Sequence, residues 1–302
     1  VLDPAGPFAE PVATLAWGLF AMAALVCVVV GVALAVSFWG PERWRALLRG
    51  ERAVLAGGLA FPLVVLTALL VWGLTLTAGL TRPAEDELRV RVTGHQWWWR
   101  VQYLSGPAAG VTEANEVHIP VGRPVTVELL SQDVIHSFWV PRLSGKLDMI
   151  PGRRNRLRLQ ADAPGVYRGQ CAEYCGGAHA LMALVVVARP EAEHRAWAAA
   201  RVRPAAEPTA GDARRGRDLF QTQGCPLCHA VRGTPAGGQA GPDLTHVASR
   251  GALAAGVLPV NRAGFGAWIT GNQRIKPQNR MPEYRLSGEE LQALTAYLEG
   301  LT

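Results

Sequence analysis

Two uncharged stretches constrain this chain more than any other feature. Val12 to Trp39 carries no Asp, Glu, Lys or Arg over 28 residues, and Ala53 to Thr81 carries none over 29. Roughly 20 apolar residues of helix cross a bilayer core, so each stretch spans one with length to spare. Buried helices of soluble proteins rarely run so long, and the pattern predicts a transmembrane hairpin, about 12–39 and 53–81, in a lipid bilayer. The first stretch is too long for the apolar core of a signal peptide, and Asp3 and Glu10 precede it where a basic region is required. A start at Val1 rather than Met reads as the product of processing.

Charge around the hairpin predicts its orientation. The short loop carries Arg43, Arg45, Arg49 and Arg52 against Glu42 and Glu51, whereas the outer flanks carry Asp3, Glu10 and the Glu85-Asp86-Glu87 run. Basic loops stay cytoplasmic, so both termini lie outside, and everything from Arg82 onward is extracytoplasmic. Thiols in that compartment need protection by a metal or a bridge. The formal charge of +6 is spread over an arginine-rich chain with only two lysines, Lys146 and Lys276. No basic tract with interleaved aromatics is present, so the sequence predicts no nucleic-acid partner.

A length of 302 residues predicts two or three domains, and the pattern shifts agree. Residues 1–87 hold the N-terminal segment and the hairpin. Residues 88–189 read as β: Leu88–Thr93, Val125–Leu130 and Arg154–Leu159 alternate apolar and polar, and Ala183–Ala188 is a short apolar run. Gly106-Pro107, Pro151-Gly152 and Ala163-Pro164-Gly165 punctuate them, which predicts an all-β sandwich of about 100 residues. Residues 190–210 read as a helix end and then a semi-rigid Ala/Pro-rich linker. Residues 211–302 read as a small all-α module, with helices over Ala213–Thr222 and Ser287–Leu301. The second helix begins with the capping box Ser287…Glu290 and presents Leu291, Leu294, Tyr297 and Leu298 on one face.

Four of the five cysteines occur in two pairs, and each pair implies a centre. Cys171, Cys175, His179 and Met182 are spaced four, four and three apart around Gly176-Gly177. Thiolate, imidazole and thioether are soft or borderline ligands that favour copper, zinc or iron over magnesium or calcium. His136 supplies a further candidate ligand from another segment. Blue-copper sites use one thiolate, two imidazoles and a weak Met; this set adds a second thiolate, able to bridge two coppers. Zinc and a Cys171–Cys175 disulfide are the competing readings, although Met is a poor zinc ligand. Cys27 lies alone in the first span and reads as a packing residue.

The second pair stands in Cys225-Pro226-Leu227-Cys228-His229, the spacing that attaches a c-type haem. Cys225 and Cys228 would form the thioether bonds and His229 the proximal ligand. Met281 is the only methionine of the module and is the candidate sixth ligand, with His246 the only other histidine.

These motifs carry a family resemblance. Gly94-His95-Gln96-Trp97-Trp98-Trp99, then Asp133 to Pro141, then Gln170 to Met182, resemble the signatures of cytochrome c oxidase subunit II, over residues 1 to about 190. Gly241-Pro242-Asp243-Leu244 and Met281-Pro282 resemble segments of class I cytochromes c, and the fused order resembles caa-type haem-copper oxidases. The resemblance implies a cupredoxin fold for the sandwich and a binuclear copper A centre. Cys171 and Cys175 would bridge the coppers, and His136 and His179 would each bind one. Met182 and the Glu173 carbonyl would be weak ligands.

The Glu173 side chain would help hold a magnesium or manganese ion shared with subunit I. Trp97 would relay electrons to copper, although the aromatic run also reads as a membrane-interface anchor. Lys146, Asp148 and Arg153 would serve the subunit interface. Implied partners are subunit I with its oxygen site, subunit III, and a donor such as cytochrome c or a bc complex. The implied setting is a bacterial cell membrane, with electrons passing from haem to copper and on to subunit I for reduction of oxygen to water. A copper A subunit of a nitric oxide reductase and a membrane-tethered copper-binding or assembly protein are the alternatives. Glu51 departs from the family pattern for a proton-path carboxylate and reads equally as a solvated loop residue.

Overall fold

Pro11 near its first turn starts helix α1, Glu10–Trp39, and Gly40 ends it. Thirty residues at about 1.5 Å each give a rod of about 45 Å, longer than a bilayer core. A computed structural model describes residues 2–81, 87–209 and 211–302; Glu85 and Asp86 of the outer acidic run lie outside them. The basic loop folds into a short helix α2, Glu42–Arg49, in which Glu42 pairs with Arg45 and Arg49. Helix α3, Glu51–Leu55, continues through a π-helical turn, Ala56–Ala60, into α4, Phe61–Thr81. The wide turn falls just before Pro62, whose missing N–H cannot close an ordinary helical bond. Both long helices are exposed along their apolar windows, as lipid-facing spans require. Glu51 is exposed at the start of α3.

Among the described residues ten strands follow: β1 Leu88–His95, β2 Trp98–Tyr103, β3 Thr112–Ala114, β4 Glu116–Pro120, β5 Val125–Ser131, β6 His136–Trp139, β7 Leu147–Met149, β8 Asn155–Leu159, β9 Gly165–Cys171 and β10 Ala183–Arg189. They form two five-stranded sheets, β3-β2-β1-β5-β8 and β4-β10-β9-β6-β7. β1 runs parallel to β5 and β10 parallel to β4, a mixed pattern expected of a cupredoxin-like sandwich. The registers Val90↔Tyr103, Val90↔Val127 and Val127↔Leu157 put buried side chains in one row across the first sheet. From the other sheet, Val117, Phe138, Leu184 and Val186 meet them in a single core. The alternation read in the sequence therefore marks the inward faces.

The residues before α1 are tied to the sandwich. Ala5 N–H donates to the Arg142 carbonyl at 2.8 Å, and Asp162 N–H donates to the Ala5 carbonyl at 2.9 Å. The N-terminal end of the hairpin thus lies against the sandwich.

Helix α5, Glu191–Val202, also belongs to the sandwich, since Trp197 and Ala198 enter its core and the Trp197 ring stacks on His118 at 4.3 Å. The connector to the last module is thereby narrowed to residues 203–209 among those described, and Ala205 N–H within it donates to the Arg232 carbonyl at 2.9 Å. Helices α6 Gly211–Thr222, α7 Arg262–Ile275 and α8 Gly288–Glu299 build that module around Phe220, Phe265, Ile269, Leu294 and Tyr297. The Ser287–Glu290 capping box forms at the start of α8.

Buried charges join the sandwich to the helical module. Glu113 on β3 meets Arg201 of α5 at 3.1 Å and Arg250 of the helical module at 3.5 Å, all nearly excluded from water. Glu116 accepts from the Gly251 N–H at 2.5 Å.

Candidate metal and haem centres

Strands β6 and β9 lie side by side with Phe138 opposite Cys171, so His136 and Cys171 arrive at the same end of the sandwich. The chain after Cys171 loops out and returns at Met182, whose carbonyl accepts from the Cys171 N–H at 3.0 Å. That closure gathers the sulfurs. Cys171 Sγ and Cys175 Sγ are 3.8 Å apart. His136 Nδ1 lies 3.8 Å from Cys171 Sγ, and His179 Nδ1 lies 3.4 Å from Cys175 Sγ. Met182 Sδ is 3.8 Å from Cys175 Sγ, and the Glu173 carbonyl is 3.2 Å from Cys171 Sγ. The ligand atoms of His136, Cys171 and Cys175 all fall within 4.8 Å of one another. Two sulfurs flanked by one imidazole on each side fit a soft, two-metal site, and no disulfide joins them.

Supporting groups fix this geometry. Asp133 Oδ1 takes the Nε2 edge of His136 at 2.8 Å, which leaves Nδ1 facing the sulfurs. Burial opposes the charge on Asp133, but the bond to His136 and those from the Gln96 and Val134 N–H groups together outweigh it and hold the carboxyl at about 2. The hydrogen bond from Cys175 favours the Cys171 thiolate and lowers its pKa to about 3, while that same bond pushes the Cys175 thiol up. Gly94 is required at its place, because a Cβ there would stand 2.7 Å from His136 Cδ2.

The aromatic run divides by strand alternation. Trp97 and Trp99 are buried in the sandwich, and Trp97 Nε1 donates to the Cys175 carbonyl at 3.0 Å. The membrane-anchor reading therefore does not hold for these two indoles. Trp98 faces the other way, stacked on His95 at 4.5 Å. Burial, followed by the Arg100 charge, lowers His95 to about 4, so it is neutral at physiological pH. Glu173 is half-exposed, 3.8 Å from Lys146, with Asp148 also 3.8 Å from that ammonium.

Trp98 lines a cavity of about 770 Å³ that extends into the helical module and is also lined by Cys225, Cys228, His229 and Met281. Its size suits a large organic cofactor. His229 Nδ1–H donates to the Pro242 carbonyl at 2.7 Å, leaving Nε2 to face the cavity. Burial lowers the His229 pKa, which keeps the ring in its neutral, ligating form. A Cβ on Gly241 would stand 2.6 Å from His229 Cε1, so only glycine lets this backbone press on the imidazole. His246, the other histidine of the module, has both ring nitrogens against carbonyls, Thr302 at 2.7 Å and Arg203 at 3.1 Å. Met281 lines the cavity and His246 does not. The four expected haem-binding residues are therefore brought together, as are the six expected around copper.

Several supporting residues were not foreseen. Glu113, Arg201, Arg250 and Lys276 act across segments far apart in sequence, whereas Asp133 acts on His136 three residues on. The one sequence signal for Lys276 is its rarity as a lysine in an arginine-rich chain.

A membrane-anchored cupredoxin sandwich joined to a cytochrome-like module defines an electron-carrying subunit of a membrane oxidase. The family described as cytochrome c oxidase subunit II, periplasmic domain, matches residues 105–189, and the family described as cytochrome c matches residues 213–302. Cytochrome c oxidase subunit 2 of Alkalihalophilus pseudofirmus is 36% identical over 317 residues, covering 99% of this chain and 90% of that one. The Bacillus subtilis protein of that name is 33% identical over 230 residues, covering 73% of this chain and 64% of its own. A solved periplasmic domain of subunit II of cytochrome oxidase from Bradyrhizobium japonicum is 30% identical, covering 40% of this chain and 96% of that one with a TM-score of 0.37. The chain belongs to the cytochrome c oxidase subunit 2 family. Membership implies copper A and haem c as cofactors and partnership with subunit I in a terminal oxidase.

Proposed function

We propose that electrons enter this subunit at a haem c held by Cys225, Cys228 and His229, with Met281 as sixth ligand. They cross to a binuclear copper centre and leave for subunit I, where oxygen is reduced to water. Cys171, Cys175, His136 and His179 would hold the coppers, with Met182 and the Glu173 carbonyl as weaker ligands. Haem and copper pair each supply a one-electron carrier; the protein supplies placement, burial and the Trp97 contact to Cys175. Spreading one electron over two metals reduces the rearrangement on transfer, and a Met/His pair raises the haem potential.

The observation that carries this reading is the paired set of sulfur–imidazole contacts, 3.8 Å at Cys171 and 3.4 Å at Cys175, beside a cavity that holds the whole haem motif. A magnesium or manganese ion shared with subunit I through the half-exposed Glu173 carboxylate belongs to the same reading. Subunit III, a cytochrome c or bc-complex donor and the bacterial cell membrane complete the proposed setting, with both modules extracytoplasmic.

Purification of the chain with its membrane partners tests the proposal. Oxygen consumption driven by reduced cytochrome c, with no reduction of nitric oxide, is the expected result. Nitric oxide reduction alone, or a chain that copurifies with no haem-copper subunit, would contradict it.

A further inference from the structure

Lys276 is the buried amine that the scheme above leaves without a task. It ends α7 and is 3% exposed, yet no carboxylate pairs with it among the described residues. Its Nζ donates to the Trp97 carbonyl at 2.7 Å and to the Ala254 carbonyl at 3.0 Å. Burial lowers its pKa to about 7, a measure of how dry this junction is. Dry, uncompensated amines are costly, so one at a module junction calls for a positional reason.

The chain on either side supplies that reason. From Lys276 to Met281 runs a six-residue segment braced by Asn279, whose Nδ2 donates to the Lys276 carbonyl at 2.9 Å and whose Oδ1 accepts from the Met281 N–H at 2.8 Å. Gln273 Nε2 donates to the Met281 carbonyl at 3.1 Å. The same segment touches the copper module at two more points. Gln278 Oε1 lies so close to Gly177 that a Cβ there would stand 2.9 Å away. Arg280 approaches Asp133, the partner of His136, at 3.9 Å. One short, internally bonded segment thus joins the candidate haem ligand to the backbone of the tryptophan whose indole bonds Cys175.

We propose that Lys276 is a positioning residue for electron transfer between the two modules: by donating to the Trp97 carbonyl, it holds the Met281 segment against the backbone of the tryptophan whose indole reaches the copper loop. The inference rests on the haem-to-copper path proposed above and adds that the path runs in one fixed pose. The step itself moves one electron, oxidising the haem iron and reducing the copper pair, with no bond made or broken. Lys276 touches neither metal and acts only through placement.

The test uses the full chain assembled in its oxidase. Lys276→Met should slow haem-to-copper transfer roughly tenfold or more, since small misplacements of reacting groups cost that much. Both optical spectra and both midpoint potentials should stay at native values. Direct photoreduction of copper by a ruthenium dye, which bypasses the haem, should keep its native rate. Deuterium exchange should rise at residues 96–100 and 276–281 in the variant. A native transfer rate in Lys276→Met overturns the inference.

A second measurement needs no substitution. In the native oxidase, transfer in a fixed pose is independent of solvent viscosity, and a rate that falls in proportion to added glycerol overturns the inference even if the variant fails to assemble. Absence of covalent haem or of copper bands in the native chain would instead defeat the functional reading itself.

Discussion

The copper and haem regions reach the same end, a buried redox centre, by opposite routes. At the copper site, one histidine comes from β6 and the remaining ligands from the end of the adjacent strand β9 and the loop that follows it, so the sandwich must fold before the set exists. At the haem site, three of four residues lie within five positions of sequence, and only Met281 comes from afar. The copper site is therefore a product of sheet register, whereas the haem site is a local motif with one long-range closure. Its covalent attachment tolerates a looser fold; the copper set does not.

The largest expected break between the two regions comes from Cys171→Ser. It should abolish the copper bands while leaving the haem spectrum and its covalent stain intact. Loss of haem together with copper would show that the modules do not assemble independently.

Next in size is Glu113→Gln at the junction. It leaves the Arg201 and Arg250 guanidiniums buried without their shared carboxylate, and removing one partner of a buried ionic group costs about 3–5 kcal/mol. Denaturant unfolding followed separately by haem absorbance and tryptophan fluorescence should show the transitions shifting to lower denaturant. An unchanged midpoint would remove the ionic junction from the account.

Asp133→Asn follows. It keeps the shape but weakens the hold on His136 Nε2, and loss of such a supporting bond lowers metal affinity roughly 10–100-fold. Competition with a copper chelator measures the change, while haem retention should be native. Met281→Ala should leave copper untouched and lower the haem potential by on the order of 100 mV, because axial ligation is a principal control on it. An unchanged haem spectrum would point to a different sixth ligand. Met182→Leu is the smallest effect, a shifted copper potential and slower electron exit with haem attachment unaltered.

The same contrast explains what the sequence made legible. Two uncharged stretches announced the hairpin because lipid tolerates little else over that length. Period-two alternation marked β1, β5 and β8, and the short apolar run marked β10, since their inward residues are almost uniformly aliphatic. The sulfur loop and the haem motif were visible because their spacing is local. Helix α7 escaped notice because Gly264, Gly266 and Gly271 weaken its helical signal, and tertiary packing restores it. Helix α5 hid behind an Ala/Glu/Arg composition that also suits a linker; Trp197 and His194, both buried, were its only distinctive residues. Glu113 and Arg250 were silent for a different reason, and Lys276 showed only as a rare lysine. Each finds its partner through the fold, as Lys276 finds Trp97 across 179 positions, and no local period records such a meeting.

The central claim is that one chain holds both a binuclear copper centre and a covalent haem. Counting copper and iron in the purified full chain, alongside its visible and near-infrared spectrum, tests it most directly. The account predicts two coppers with mixed-valence bands and one iron in covalently bound haem per chain. A single copper, zinc in the sulfur site, or a haem that solvent extracts would contradict it.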